Sequence, residues 1–147
     1  MRCMALDLGS KTIGIAVSDL TGLIAGGVET IHRTSPQRDD ARLGELVQEY
    51  EVATLVVGYP KNMNGTVGER AHGCEIFAEH LRALFPCLEV VLWDERLSTV
   101  AAEKVLVDAD LRRKKRRKVI DMMAAVVILQ NYLDSRQNLK RRTEAGS

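Results

Sequence analysis

The sequence predicts an α/β fold: a mixed β-sheet with helices packed on its faces. Three observations carry this expectation. Two β-rich segments near the N-terminus are separated only by a tight turn, which implies an antiparallel start. Short, continuously apolar segments then alternate with stretches of helical periodicity, as in parallel strands joined by crossover helices. The 147 residues, 46% hydrophobic and 28% charged, are enough for one domain with a real core.

The elements follow in order. Cys3 to Asp7 reads as a strand, Gly9-Ser10-Lys11 as a turn, and Thr12 to Ser18 as a β-branched strand that closes a hairpin. Gly22 and Gly26-Gly27 punctuate, and Val28 to His32 reads as a third strand of edge character. Ser35-Pro36 starts a helix, with Ser as cap and Pro in the first turn, and Leu43, Leu46, Val47 and Tyr50 keep helical spacing. Thr54 to Gly58 is a central parallel strand. Thr66 and Glu69 form a T-x-x-E capping box for a helix that Pro86 stops. Glu89 to Trp93 is the next strand, and Ser98 or Thr99 caps a helix containing Ala101, Ala102, Val105 and Leu106. The last helix, about Val119 to Asp134, is apolar almost all round and should be buried on several sides. Residues 1–136 are expected to form a single domain, and residues 137–147 a polar, disordered tail. Right-handed crossovers would make the strands ending at Asp7, Gly58 and Asp94 parallel, and ligands of such sheets bind outside the carboxyl ends of the strands.

Composition excludes several classes. No apolar run reaches the roughly 18 residues of a membrane helix, and the N-terminus reads as a strand rather than a signal peptide, so the cytoplasm is the expected compartment. Cys3, Cys74 and Cys87 are odd in number and lack a C-x-x-C pair, and His32, His72 and His80 show no H-E-x-x-H pattern. Net charge is +1, yet Arg112, Arg113, Lys114, Lys115, Arg116, Arg117 and Lys118 form an unbroken basic run. The remainder of the chain carries 14 basic against 20 acidic residues, so the run, directly before Asp121, suggests a local contact for a polyanion, with a solvated loop as the alternative.

Three carboxylates stand at the edges of apolar segments. Asp7 ends Cys3-Met4-Ala5-Leu6, Glu95 follows Val90-Val91-Leu92-Trp93-Asp94, and Asp121 opens Met122 to Leu129. A lone buried carboxylate costs several kcal/mol, roughly, unless it is neutralised or paired. Acids so placed suit a shared divalent cation, a device for cutting phosphodiesters. For Asp121 alone, a first-turn position favourable to the helix dipole is an equal explanation. Asp7-Leu8-Gly9-Ser10-Lys11-Thr12 fails the phosphate-loop template, since a strand follows it, but Gly9 and Gly14 permit close approach and Lys11 can meet a phosphate. The loop Val57-Gly58-Tyr59-Pro60 with Asn64-Gly65 precedes a helix N-terminus that can hold an anion. In Asp94-Glu95-Arg96-Leu97-Ser98-Thr99, one acid can bind metal while another orients Arg96.

Taken together, Asp7-x-Gly9-x-Lys11-x-x-Gly14-x-Ala16-x-Ser18-Asp19, Val57-Gly58-x-Pro60 with Asn64-Gly65, Asp94-Glu95-Arg96-Leu97-Ser98-Thr99, and Ile120-Asp121-x-x-Ala124-Ala125 with Ile128-Leu129 resemble the YqgF/RuvX family. The matches run in order up to about Leu133. The resemblance implies an RNase H-like α/β fold: a mixed five-stranded sheet, order 3-2-1-4-5, with helices on both faces. It implies a nuclease acting on structured nucleic acid with Mg²⁺ or Mn²⁺. Asp7, Glu95 and Asp121 would be the acidic triad, with Asp94 the alternative second member. The roles it suggests are maturation of the 5′ end of 16S ribosomal RNA and resolution of Holliday junctions.

On this reading Asp7 would bridge two metal ions, Glu95 and Asp121 would each hold one, and the ions would stand roughly 3.5–4 Å apart. Lys11, Arg96 and the basic run Arg112–Lys118 would bind phosphates. The expected partner is pre-rRNA or branched DNA, with no membrane and a homodimer allowed. The rivals are a non-catalytic nucleic-acid-binding module and an ATPase half resembling sugar or acetate kinases; the small single domain speaks against the latter.

Overall fold

The computed structural model describes residues 2–60, 66–95 and 113–145, the side chains of 113–121 and 140–145 excepted. It begins with an antiparallel meander of β1 (Arg2–Leu8), β2 (Thr12–Ser18) and β3 (Ala25–His32). Helix α1 (Pro36–Glu49) leads to β4 (Val52–Tyr59), which lies parallel to β1. Helix α2 (Glu69–Leu84) leads to β5 (Glu89–Asp94), parallel to β4, and α3 (Arg113–Ala145) completes the fold. The sheet order is β3-β2-β1-β4-β5, the expected mixed arrangement. Among the described residues no helix is long and apolar enough to cross a membrane.

Local chemistry sets the turns. The Gly9 amide donates to the Thr12 carbonyl at 2.8 Å, and a Cβ on Gly9 would stand 3.0 Å from that carbonyl oxygen. Between β2 and β3, the Asp19 carboxylate accepts from the Thr21 hydroxyl at 2.8 Å and from the Leu23 and Ile24 amides at 3.1 and 3.3 Å. Gly22 completes that turn at φ 73°, where glycine carries no Cβ penalty. The Ser35 side chain caps α1 by accepting from the Arg38 amide, with Pro36 following it as expected.

Strand alternation divides the interior into two layers. Met4 and Leu6 of β1, Ile13 and Ile15 of β2, and Leu55 and Val57 of β4 face α1 and α2, where Leu43, Leu46, Cys74 and Leu81 cover them. The opposite face presents small residues, Ala5 and Ala16, beside Cys3 and Val56. Ala125, Ile128, Leu129 and Leu133 of α3 pack there. Glycines deepen the seat: a Cβ on Gly27 would meet Met122 Cγ at 2.7 Å, and one on Gly58 would meet Ile128 Cδ1 at 2.6 Å. Gln130 pins α3 to the edge of the sheet, accepting from the Ala25 amide and donating to the Leu23 carbonyl, both at 2.9 Å. From Met122 to Leu133 no side chain of α3 is exposed, as its all-round apolar character predicts.

Several sequence expectations change. The third strand starts at Ala25, because Gly26 and Gly27 pair with Val17 and Ala16 instead of ending the ladder. Helix α2 starts at Glu69 behind Gly68, so its N-cap falls two residues beyond the Thr66 expected from the T-x-x-E pattern. Helix α3 starts at Arg113 and runs to Ala145. Six of the seven basic residues therefore belong to the helix rather than to a preceding link. The predicted helix around Ala101–Leu106 and the Asn64-Gly65 turn lie outside the described residues.

Candidate functional site

The parallel strands β1, β4 and β5 end together, and Asp7 and Glu95 stand at that carboxyl edge. Asp7 shares its side of the sheet with Cys3 and Ala5, on the face of α3. Its cross-strand partner on β2 is Gly14, which brings no side chain against it. On β4 the corresponding neighbour is also glycine: a Cβ at Gly58 would lie 3.3 Å from Glu95 Oε1. Two glycines thus make the room in which these acids sit. Asp94 pairs with Tyr59 and falls on the α1–α2 face, whereas Glu95, one residue on, reaches back over Gly58.

Electrostatics couples the two acids. Burial holds the Glu95 carboxyl above its ordinary value, and the charges of Asp7 and Asp94 add to this, while Arg70 acts in the opposite direction. The thiol of Cys74, buried in α2, is pushed up to about 11 by burial first and then by the charges of Glu95 and Asp7. Arg70 Nη2 stands 3.9 Å from Asp7 Oδ1, and its side chain is 65% exposed, too open for a strong ion pair.

Arg70 also lines a cleft of about 670 Å³, whose walls carry Lys11 on the β1–β2 turn and Arg33 after β3. No acid lines it among the described residues. Arg33 stiffens the turn that presents Lys11: its Nη1 donates to the Gly9 carbonyl at 2.8 Å, and its amide donates to the Lys11 carbonyl at 2.9 Å.

The structure therefore brings together Asp7, Glu95 and, across the cleft, Lys11. Asp121 lies in α3, with its side chain outside the described residues, as are those of Arg113, Lys114, Lys115, Arg116, Arg117 and Lys118; Arg96 and Arg112 are wholly outside them. Sequence reading missed Arg33 and Arg70. Arg70 did leave a signal: a cation in the first turn of a helix opposes the macrodipole, so its presence there asks for a partner.

Over residues 1–135 the sequence matches the family described as "RuvX: Holliday junction resolvase". The chain belongs to the RuvX family. Curated relatives support the assignment to this family of nucleases. A Geobacillus kaustophilus (strain HTA426) protein named "Putative pre-16S rRNA nuclease" is 60% identical over 139 residues, covering 93% of this chain and 100% of the relative. One of the same name from Thermoanaerobacter pseudethanolicus is 53% identical over 139 residues, covering 94% and 99%. Among solved structures, T. thermophilus RuvC in complex with Holliday junction substrate superposes with a TM-score of 0.58 at 18% identity, covering 93% of this chain and 96% of RuvC. The fowlpox virus Holliday junction resolvase gives 0.55 at 12% identity, covering 92% and 99%. The RuvX chain thus has the RNase H-like fold of these resolvases.

Proposed function

We propose that this RuvX-family chain is a divalent-metal-dependent nuclease that hydrolyses phosphodiester bonds in structured nucleic acid, processing the 5′ end of pre-16S ribosomal RNA in the cytoplasm. The observation that carries the reading is the Asp7–Glu95 pair bordering a cleft lined by Lys11, Arg33 and Arg70. The name shared by relatives above 50% identity supplies the substrate.

The acids fit a metal. Burial and mutual repulsion make a second negative charge unfavourable here, and a cation shared between the carboxylates relieves both. Carboxylate oxygens suit the hard ions Mg²⁺ and Mn²⁺. Asp7 and Glu95 would hold the metal together with Asp121, whose position in α3 precedes Ala125 by four residues and Ile128 by seven, the spacing of one helix stripe. Bound there, Mg²⁺ or Mn²⁺ supplies a more acidic water and charge stabilisation at the leaving oxygen. The chain's own part is positioning. Gly14 and Gly58 keep side chains away from the acids, Arg33 fixes the Lys11 turn, and Lys11 and Arg70 hold phosphates beside the carboxylates. Arg96 and the basic run Arg112–Lys118 would extend this phosphate contact along the strand.

Holliday junction resolution is the second reading, favoured by the family's description. A cleavage panel decides between them: 5′-extended 16S precursor, four-way DNA junction and plain duplex, each with Mg²⁺ or Mn²⁺ and each beside Asp7→Asn. The proposal expects cleavage of the precursor, abolished in Asp7→Asn with binding retained. Cleavage of the junction alone selects the second reading, and near-normal cleavage by Asp7→Asn rejects the carboxylate mechanism.

A further inference from the structure

We propose that a second cavity, between the start of α1 and the middle of α2, receives one nucleobase of the substrate strand while that strand's phosphates lie in the Lys11–Arg70 cleft. The proposal rests on the nuclease reading above.

The cavity holds about 540 Å³, within the range of small-ligand pockets and ample for one base. It shares Leu8, Ser10 and Arg33 with the basic cleft, so the two are one continuous surface. The cleft in turn reaches Arg70, 3.9 Å from Asp7. A nucleotide near the scissile bond can therefore place its phosphate in one and its base in the other.

The lining suits a base. Phe77 and Ile13 give it an apolar wall, and Ile76, an aliphatic side chain 59% exposed at its border, offers a surface for a flat ring. The polar side carries Asp39, Asp40 and His80. Asp40 spends both oxygens on His80 Nε2 at 2.9 Å, whereas Asp39 uses Oδ1 on the Thr34 amide at 3.3 Å. An ionised carboxylate accepts and cannot donate, so Asp39 favours the amino group of cytosine, adenine or guanine over the N3–H of uracil or thymine, which stands between two carbonyl oxygens that repel the carboxylate.

A glycine gives an independent sign. Gly73 lines this cavity in the interior of α2, where glycine is the poorest helix former after proline. A Cβ there would meet nothing within 4 Å, so no packing within the described protein requires glycine at this position. A larger side chain at position 73 would stand at the border of the cavity.

The test uses the nucleic acid that wild-type protein cuts in the cleavage panel. Single abasic substitutions are scanned across the nucleotides flanking the cleavage site, and affinity for each is measured by fluorescence anisotropy with the non-cleaving Asp7→Asn protein. At one position the abasic site should cost on the order of tenfold in affinity, the scale of one stacked base. Uracil or thymine there should bind more weakly than cytosine. Adding Gly73→Phe, which fills the cavity, should weaken the intact substrate by the same factor and erase the abasic effect. Ile76→Ser, at an exposed position, should reduce that effect too, and serves if Gly73→Phe does not fold. Gly44→Ala, a helical glycine equally free of neighbours and outside the cavity lining, is the control for helix propensity and should change nothing. A flat scan, or full position sensitivity retained in the cavity variants, overturns the base pocket while leaving cleavage intact. Failure of wild-type protein to cut any substrate overturns the nuclease reading and the base pocket with it.

Discussion

Glu95 lies over Gly58: a Cβ at position 58 would stand 3.3 Å from Glu95 Oε1 and 2.6 Å from Ile128 Cδ1. One absent methyl group thus seats both a candidate metal ligand and the helix behind it. Gly58→Ala should lose about 1–3 kcal/mol by overpacking the buried Ile128, a fall in melting temperature of several degrees. Cleavage should fall further than stability explains, because Glu95 is displaced as well. The double variant Gly58→Ala/Ile128→Val removes the 2.6 Å clash and should recover most of the melting temperature without recovering activity. Full recovery of both would show that Gly58 serves the helix alone.

Glu95 yields a pH prediction. Its folded carboxyl sits above the ordinary value because burial, and then Asp7, disfavour the charge. In the pH window between the ordinary and the raised value, the folded state binds more protons than the unfolded state. Stability of metal-free protein should therefore rise as pH falls through that window, and decline as pH rises through the folded value. Glu95→Gln should remove this dependence and melt higher than wild type at neutral pH without metal. Added Mg²⁺ should stabilise wild type and leave Glu95→Gln unmoved. Thermal melts across pH, with and without Mg²⁺, check all three; a metal-free Glu95→Gln protein less stable than wild type at pH 7 would contradict the account.

Such acids were visible in the sequence because a carboxylate at the end of a continuously apolar strand has few reasons to be there. The sheet was visible for the same kind of reason: Thr12–Ser18 has the bounds that its β-branched pattern predicts, and the parallel strands read as unbroken apolar runs. What the pattern concealed depends on neighbours distant in sequence. Gly26 and Gly27 look like punctuation, yet they continue β3, and Gly27 makes room for Met122. Asp94 and Glu95 are indistinguishable by position alone; the pairing of Asp94 with Tyr59 separates them. Arg33 and Arg70 acquire meaning only when two connections fold them beside Lys11.

Arg70 serves both the cleft and the acids. Its pair with Asp7 is long and solvent-exposed, so Arg70→Ala should alter stability by less than about 0.5 kcal/mol. Substrate binding should weaken several-fold, and the slope of log affinity against log salt should shrink by roughly one phosphate contact. Because Arg70 opposes the raised Glu95 carboxyl, its removal pushes that group higher still. The acid limb of the kcat/KM profile should then move to higher pH. An unchanged salt slope would remove Arg70 from the phosphate track.

The opposite end of the sheet offers a change that separates fold from site. Glu51, just after α1, is left-handed at φ 51°, a conformation that side chains other than glycine and asparagine seldom adopt. Its amide donates to the Gln48 carbonyl at 3.3 Å, and its own carbonyl accepts from the Arg2 amide at 3.4 Å. The backbone is thus held in place while the Cβ is strained. Glu51→Gly relieves the strain but frees the unfolded chain, so the net gain should be about 0.5–1 kcal/mol, or roughly 2–4 °C in a chain of this size. Glu51→Ala keeps the Cβ and should gain nothing. Asp7 lies at the far end of β1 from Arg2, so cleavage at a fixed temperature should be the same in all three proteins, and melting curves with cleavage rates measured side by side decide it. A loss of cleavage in Glu51→Gly with the melting temperature raised would mean that the amino edge of the sheet communicates with the carboxylates.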